Sequence, residues 1–114
     1  MVLNWGKCQG DNWCSFMRLT LESHVFDNAL GIYIIWSNAI SIKVGSGNIR
    51  NEIERDRENN QIKLYPESTL KVTWCIVDSS QIDGVKTFLV NRLRPVIMET
   101  VGSANPIEVN LPWV

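Results

Sequence analysis

Two short β-rich runs joined by a polar turn are the feature that most constrains this fold. Residues 31–36 and 40–44 carry the runs, and Ser37 and Asn38 separate them. Runs of this length, bounded by Gly, Asn and Ser, are typical of the paired strands of a β-hairpin. Gly-rich residues 45–47 then turn the chain before a strongly charged stretch. The sequence therefore predicts a hairpin that leads into a helix.

Alternation along the two strands assigns their side chains to opposite faces, because successive side chains of a strand point in opposite directions. One face is expected to be apolar and to carry Ile32, Ile34, Trp36, Ile40, Ile42 and Val44. Tyr33 and Lys43 then share the other face as potential cross-strand neighbours. A ligand is expected on that second face.

The charged stretch predicts a helix from Asn48, a residue suited to capping, to about Asn59. Its apolar residues are Ile49 and Ile53, one turn apart, which form a narrow stripe that can pack on a sheet. Most of its charges are interpreted as a solvated face.

Further along the chain, residues 70–77 predict a central strand that is buried on both sides. Ser80 and Asp83 are spaced as a capping box at the start of a second helix. That helix has an apolar face at helical spacing and is expected to stop at Pro95. The apolar face consists of Ile82, Val85, Phe88, Leu89 and Leu93.

These elements predict one α+β domain over residues 1–114. Its core, residues 31–95, is a small mixed three-stranded sheet with flanking helices in the order β-β-α-β-α. Residues 1–30 are expected to form an extended arm, with a short strand at 17–21 and aromatic residues that cover the core. Residues 96–114 are expected to be an extended, packed extension anchored by Trp113.

Composition narrows the classes of function. The net charge of −1 and the pI of about 5.8 count against tight, non-specific binding to a nucleic-acid backbone. No apolar run is long enough to cross a membrane, and no secretory signal is recognisable, so the expected location is cytoplasmic. The three cysteines, Cys8, Cys14 and Cys75, lack zinc-site spacing and are predicted to be buried free thiols.

The order of motifs resembles a known family. Gly31-Ile32-Tyr33, a second strand ending in Val44-Gly45, a charged helix, a third strand and a helix closed by Arg94-Pro95 are similar to the GIY-YIG nuclease domain. The resemblance covers residues 31–95, and the flanks are similar to those of small stand-alone bacterial members. It implies metal-assisted cleavage of a DNA phosphodiester bond. Tyrosines of both signature triplets, a helix arginine and a metal-binding glutamate would act together.

Carried over residue by residue, the resemblance leaves Tyr33 as the one catalytic residue that is unchanged. The second signature tyrosine falls on Lys43, the helix arginine on Glu52, and a histidine one turn later on Asp56. The metal-binding glutamate falls on Lys86. Because two charges have changed sign, we expect Glu52 and Lys86 to form an ion pair across the former cleft.

Three functions follow as hypotheses. The first is a catalytically impaired GIY-YIG-like domain that is retained to bind nucleic acid or protein, with no cofactor expected. The second is an active endonuclease with a rearranged site built from Tyr33, Arg55, Glu52 and Asp56. In that case Lys43 is a further catalytic candidate, and the Glu52–Asp56 pair would hold Mg²⁺ or Mn²⁺. The alternative for that pair is an exposed acidic surface, and the alternative for Tyr33 is packing under Lys43 or Arg55.

The third hypothesis is a structural or assembly protein. It rests on five tryptophans, some of which could form an exposed aromatic patch. Burial of these large side chains is the competing interpretation. The tryptophans are Trp5, Trp13, Trp36, Trp74 and Trp113.

Overall fold

A four-stranded antiparallel sheet with one α-helix on each face forms the centre of the molecule. The structure is a computed structural model that describes residues 1–99, 102 and 104–113. The strands lie in the order β1-β4-β2-β3. Their bounds and those of the helices are β1 Cys14–Ser15, β2 Leu30–Ser37, β3 Ile40–Asn48, α1 Ile49–Asp56, β4 Leu70–Ile76 and α2 Ile82–Leu93. The α+β class was predicted correctly, whereas the mixed three-stranded sheet was wrong because every pairing is antiparallel and β1 adds a fourth strand.

The β2–β3 hairpin follows the prediction except at one irregularity. The register shifts between Ile35 and Trp36, where β3 contributes one residue more than β2. Such a bulge changes the face to which the following side chains point. Ile42 therefore packs in the same core as Tyr33, and Ile40 is exposed, although alternation assigned both isoleucines to the other face.

Two apolar cores lie on opposite faces of the sheet. On the α1 face, Ile49 and Ile53 are fully buried against Tyr33 and Ile35, as the narrow apolar stripe predicted. Asn48 caps this helix, since its side chain accepts from the Asn51 N–H at 3.0 Å. The helix ends at Asp56, one turn earlier than predicted. On the other face, Val85, Leu89 and Val90 of α2 pack against Ile32 and Ile34.

Helix α2 begins without the predicted capping box. Its N-cap is Gln81, whose side chain makes no capping bond. Ser80 instead bonds back to the carboxylate of Asp78, so the predicted capping box of Ser80 and Asp83 was wrong. The helix ends before Pro95, as expected, with Arg94 in the left-handed conformation.

Neither α-helix nor any other helix within the described residues is long and apolar enough to cross a membrane.

The N-terminal arm covers the outer edge of β4. Its strand is Cys14–Ser15, paired with Lys71 and Val72, and not the predicted run at 17–21. The Gly6 N–H donates to the carbonyl of Trp74 at 2.8 Å, and the Phe16 N–H donates to that of Leu70 at 3.0 Å. The arm therefore forms a broken fourth strand along this edge.

Two arginines of the α1 segment hold the arm in place. Arg50 donates to the carbonyls of Leu21 and Ser23 and to the carboxylate of Asp27, at 2.6 to 3.0 Å. Arg57, which follows α1, donates to the carbonyls of Phe16 and Leu19 at 3.0 and 2.7 Å. Charges that were interpreted as a solvated face are thus tertiary contacts at these two positions.

The C-terminal extension packs beside the start of the chain. The Asn110 side chain accepts from the Leu3 N–H at 2.6 Å and donates to the Leu3 carbonyl at 3.0 Å. The Trp5 indole donates to the Asn110 carbonyl at 3.0 Å. Trp113, the predicted anchor, is 38% exposed and contacts Trp36 with ring centroids 4.8 Å apart. Asn110 therefore joins the two arms more extensively than Trp113 does.

Cys8 and Cys14 form a disulfide, so the prediction of free, buried thiols was wrong for this pair. Their separation of six residues closes a small loop around a 3₁₀ turn. Cys75 is free and buried, as predicted, and burial raises the pKa of its thiol to about 12. Disulfides are rare in the reducing cytosol. The cytoplasmic location therefore stays a prediction, and the disulfide counts against it.

Loss of the disulfide is expected to lower the free energy of unfolding by about 2 kcal/mol, because a short loop is no longer closed in the unfolded chain. Urea denaturation with and without a reductant measures this difference. The double variant Cys8→Ser/Cys14→Ser should not respond to the reductant. Equal urea midpoints for the oxidised and reduced wild type would contradict the prediction.

Candidate functional site

The hairpin and α1 bring three polar side chains together inside the molecule. Tyr33 lies on β2, Lys43 lies on β3, and Asp56 is the last residue of α1. Gly45, which pairs with Tyr33, makes room for the tyrosine ring, because a Cβ atom added there would lie 2.1 Å from Tyr33 Cζ. Glycine at this position allows the ring to cross β3 and point its hydroxyl toward α1.

Asp56 is at the centre of this group, and both of its carboxylate oxygens have partners. The Tyr33 hydroxyl donates to Oδ2 at 2.5 Å, and Lys43 Nζ donates to Oδ1 at 2.7 Å. All three side chains are buried, with Tyr33 completely inaccessible. Burial of a carboxylate is unfavourable unless it is paired and hydrogen-bonded, and both conditions are met here. We refer to these residues as the Tyr–Asp–Lys cluster.

Tyr33 is held in its neutral form. Burial is the main cause that raises the pKa of Tyr33 far above its usual range, and the negative charge of Asp56 adds to it. A general base has to accept a proton near the operating pH. In this arrangement Tyr33 donates a structural hydrogen bond and is poorly suited to activate water.

A short strap, residues 95–99, closes the cluster from outside. The Val96 and Ile97 N–H groups donate to the carbonyls of Ser41 and Ile42 on β3, at 3.0 and 2.8 Å. The strap thereby brings the Glu99 carboxylate to two lysines. Its Oε1 accepts from Lys86 Nζ at 3.2 Å, and its Oε2 lies 3.7 Å from Lys43 Nζ.

The predicted ion pair of Glu52 and Lys86 does not form, although the structure describes both residues. Glu52 pairs with Arg55 on the same helix at 3.2 Å, and Lys86 pairs with Glu99. The Arg55 side chain is 75% exposed, so it lies outside the Tyr–Asp–Lys cluster. Of the candidate residues, the structure brings together Tyr33, Lys43 and Asp56, with Lys86 joined to them through Glu99.

The residues present do not fit a divalent metal. Both oxygens of Asp56 already have partners, and the Glu52 carboxylate is paired with Arg55. Lys86, at the position of the expected metal-binding glutamate, offers an ammonium group in place of a carboxylate. No group of three or more His, Cys, Asp or Glu side chains that could hold a metal occurs within the described part of the chain. The exposed acidic pair proposed for Glu52 and Asp56 is also wrong, because Asp56 is buried.

A separate groove lies on the N-terminal arm. It has a volume of about 660 Å³, and its lining includes Trp74, Phe26, Lys7 and Arg18. Lys7 is already paired with Asp11 at 3.3 Å. The groove is open and shares no residue with the Tyr–Asp–Lys cluster.

Four of the five tryptophans pack against other aromatic side chains. Trp36 contacts both Trp13 and Trp113, with ring centroids 5.5 and 4.8 Å apart. Trp74 packs on Phe26 at 4.9 Å. Four of the five are buried or half-buried, which favours core packing over an exposed aromatic patch.

Sequence reasoning missed the inward position of Asp56 and the role of Glu99. A signal existed for Asp56, which follows Ile53 by three residues and Ile49 by seven and therefore lies on their face of the helix. No comparable signal existed for Glu99, because its contacts depend on how the strap crosses β3.

Comparison of the chain with protein-family models, with curated proteins and with solved structures found no significant match.

Removal of the buried carboxylate is expected to be costly. Asp56→Asn leaves the Lys43 ammonium buried without its closest countercharge, which should lower the free energy of unfolding by about 3–5 kcal/mol. Urea denaturation measures the change. Lys43→Met in the Asp56→Asn background should recover part of the loss, because the unpaired charge is then gone.

The matched control is Glu54→Gln, which neutralises an exposed carboxylate on the same helix and should change stability by less than about 0.5 kcal/mol. Strictly additive effects of Asp56→Asn and Lys43→Met would contradict the coupling.

The raised pKa of Tyr33 also predicts a pH dependence. Above about pH 10 a tyrosine ionises in the unfolded chain while the native Tyr33 stays neutral. Its contribution to stability is therefore complete below that pH and lost as the pH rises above it. The free energy of unfolding of wild type should fall more steeply in this range than that of Tyr33→Phe, by up to about 1.4 kcal/mol per pH unit. Parallel curves for the two proteins would refute this assignment.

Proposed function

We propose that this chain is a catalytically inactive domain of the GIY-YIG nuclease type that works as an interaction module. The observation that carries the proposal is the Tyr–Asp–Lys cluster. In it, the Tyr33 hydroxyl and both oxygens of Asp56 are used for internal hydrogen bonds. A nuclease site needs a proton acceptor, a metal ligand and a cation that are free to meet the substrate. Here the corresponding positions serve the fold.

The order of elements supports the resemblance on which the proposal depends. From β2 onward the strands and α-helices follow as β2-β3-α1-β4-α2, with two short 3₁₀ turns between α1 and β4, and β1 lies outside that core. Tyr33 on the first core strand faces the first helix, as a cleft residue of such a domain would. Gly45 accommodates its ring.

The use of the basic residues favours a protein partner over DNA. A nucleic-acid surface requires lysines and arginines that are free to contact phosphates. Four of the eleven lysines and arginines already have partners: Arg50 and Arg57 bind the N-terminal arm, Lys43 pairs with Asp56, and Lys86 pairs with Glu99. The net charge of −1 adds to this argument.

Purified protein is expected not to nick supercoiled plasmid DNA in the presence of Mg²⁺ or Mn²⁺, because the Tyr33 hydroxyl and both oxygens of Asp56 are used in internal hydrogen bonds. Agarose gel analysis of the plasmid over several hours measures nicking. Tyr33→Phe should give the same background as wild type.

One outcome would overturn the proposal, and another would change the class of partner. Metal-dependent cutting that disappears in Tyr33→Phe would establish an active nuclease with a rearranged site. Salt-sensitive retention of DNA without cutting would keep the inactive domain but would replace the protein partner with nucleic acid.

A further inference from the structure

Glu99 is bound in the structure as a ligand would be. Its carboxylate lies between Lys86 Nζ at 3.2 Å and Lys43 Nζ at 3.7 Å, which belong to α2 and β3 respectively. The Lys43 side chain is 7% exposed and that of Lys86 is 15% exposed, whereas that of Glu99 is 42% exposed. Two nearly buried cations therefore hold a carboxylate that still reaches the surface.

The charges of this site balance only when one monoanion is present. Lys43 and Lys86 contribute two positive charges, and Asp56, 2.7 Å from Lys43, contributes one negative charge. Glu99 supplies the remaining negative charge. Without it, the site has a net charge of +1 in a place with little access to water, and this strongly favours binding of a carboxylate. A phosphate dianion would overcompensate and would also be repelled by Asp56.

The contact of Glu99 is also the part of the strap that is easiest to displace. The backbone bonds of the strap to β3 end at Ile97. Beyond it, Met98 is 62% exposed, and neither Met98 nor Glu99 makes a backbone hydrogen bond with another described residue. The Glu99 carboxylate can therefore rotate into solvent while Val96 and Ile97 stay in place.

We propose that Lys43 and Lys86 form a carboxylate-binding site that Glu99 blocks from within, and that an acidic side chain of a partner protein displaces Glu99 to bind there. The proposal rests on the interaction role inferred above and names the chemistry of the partner. Glu99 competes as a tethered group, which corresponds to millimolar effective concentration for a short connection. An acidic partner therefore binds only when its concentration and affinity are high enough to displace the Glu99 carboxylate from the two lysines.

The test measures binding of fluorescein-labelled hexaglutamate to the full chain by fluorescence anisotropy at low salt. Glu99→Gln removes the competing charge and keeps the size of the side chain, so affinity for the peptide should rise at least tenfold over wild type. The matched control is Glu54→Gln, which changes the net charge equally on an exposed part of α1. It should change affinity by less than twofold.

A second variant tests the location of the site. Lys86→Met in the Glu99→Gln background should return affinity to the wild-type level, because one of the two cations is gone. The inference is overturned by equal gains in Glu99→Gln and Glu54→Gln, or by a gain that survives Lys86→Met. It is also overturned if inorganic phosphate displaces the peptide from Glu99→Gln as effectively as glutarate does at matched ionic strength.

Failure of this inference and failure of the proposed function are distinguishable. Plasmid cutting by wild type or Glu99→Gln would remove the inactive-domain proposal whatever the peptide does. Absence of peptide binding without plasmid cutting would remove only the carboxylate site. Circular dichroism of each variant verifies that a loss of binding is not a loss of folding.

Discussion

The structure depends on one carboxylate that is buried at the end of α1. An ionised group in the interior must be paired, and Asp56 meets this requirement with a hydroxyl from β2 and an ammonium from β3. These two bonds link the helix to both strands of the hairpin. They also explain Gly45, since a side chain there would displace the ring that carries the hydroxyl. One carboxylate therefore links three elements through two hydrogen bonds.

In the inactive domain proposed above, the nuclease-like order of elements and the loss of nuclease chemistry would have the same physical origin. The positions that would form a cleft carry charges that neutralise one another: Lys43 with Asp56, and Lys86 with Glu99. Because these charges neutralise one another, no water, metal ion or substrate is needed to balance them. Such a domain would keep the order of its elements while these polar groups stabilise the molecule.

Features that are set by residues close together in the sequence could be predicted. Features that are set by contacts between residues far apart in the sequence could not. The hairpin, the Asn48 cap and the buried Ile49–Ile53 stripe follow from local spacing and chemistry. The bulge that moves Ile42 to the other core does not, because alternation gives no sign of an extra residue. The anchoring by Arg50 and Arg57 depends on residues of the arm that lie 23 to 41 positions away in sequence. Within the site, Tyr33 and Lys43 could be placed on one face, but the contacts of Glu99 required the path of the strap.

The covered edge of β4 limits how this molecule can associate with others. Sheets with a free outer strand invite another chain to extend them through backbone hydrogen bonds. Here Gly6, the two residues of β1 and Phe16 already use that edge from Leu70 to Trp74. Recruitment of a peptide as an extra strand is therefore blocked on this side. A partner that approaches it has to recognise side chains, and accidental stacking of copies into fibrils is disfavoured there.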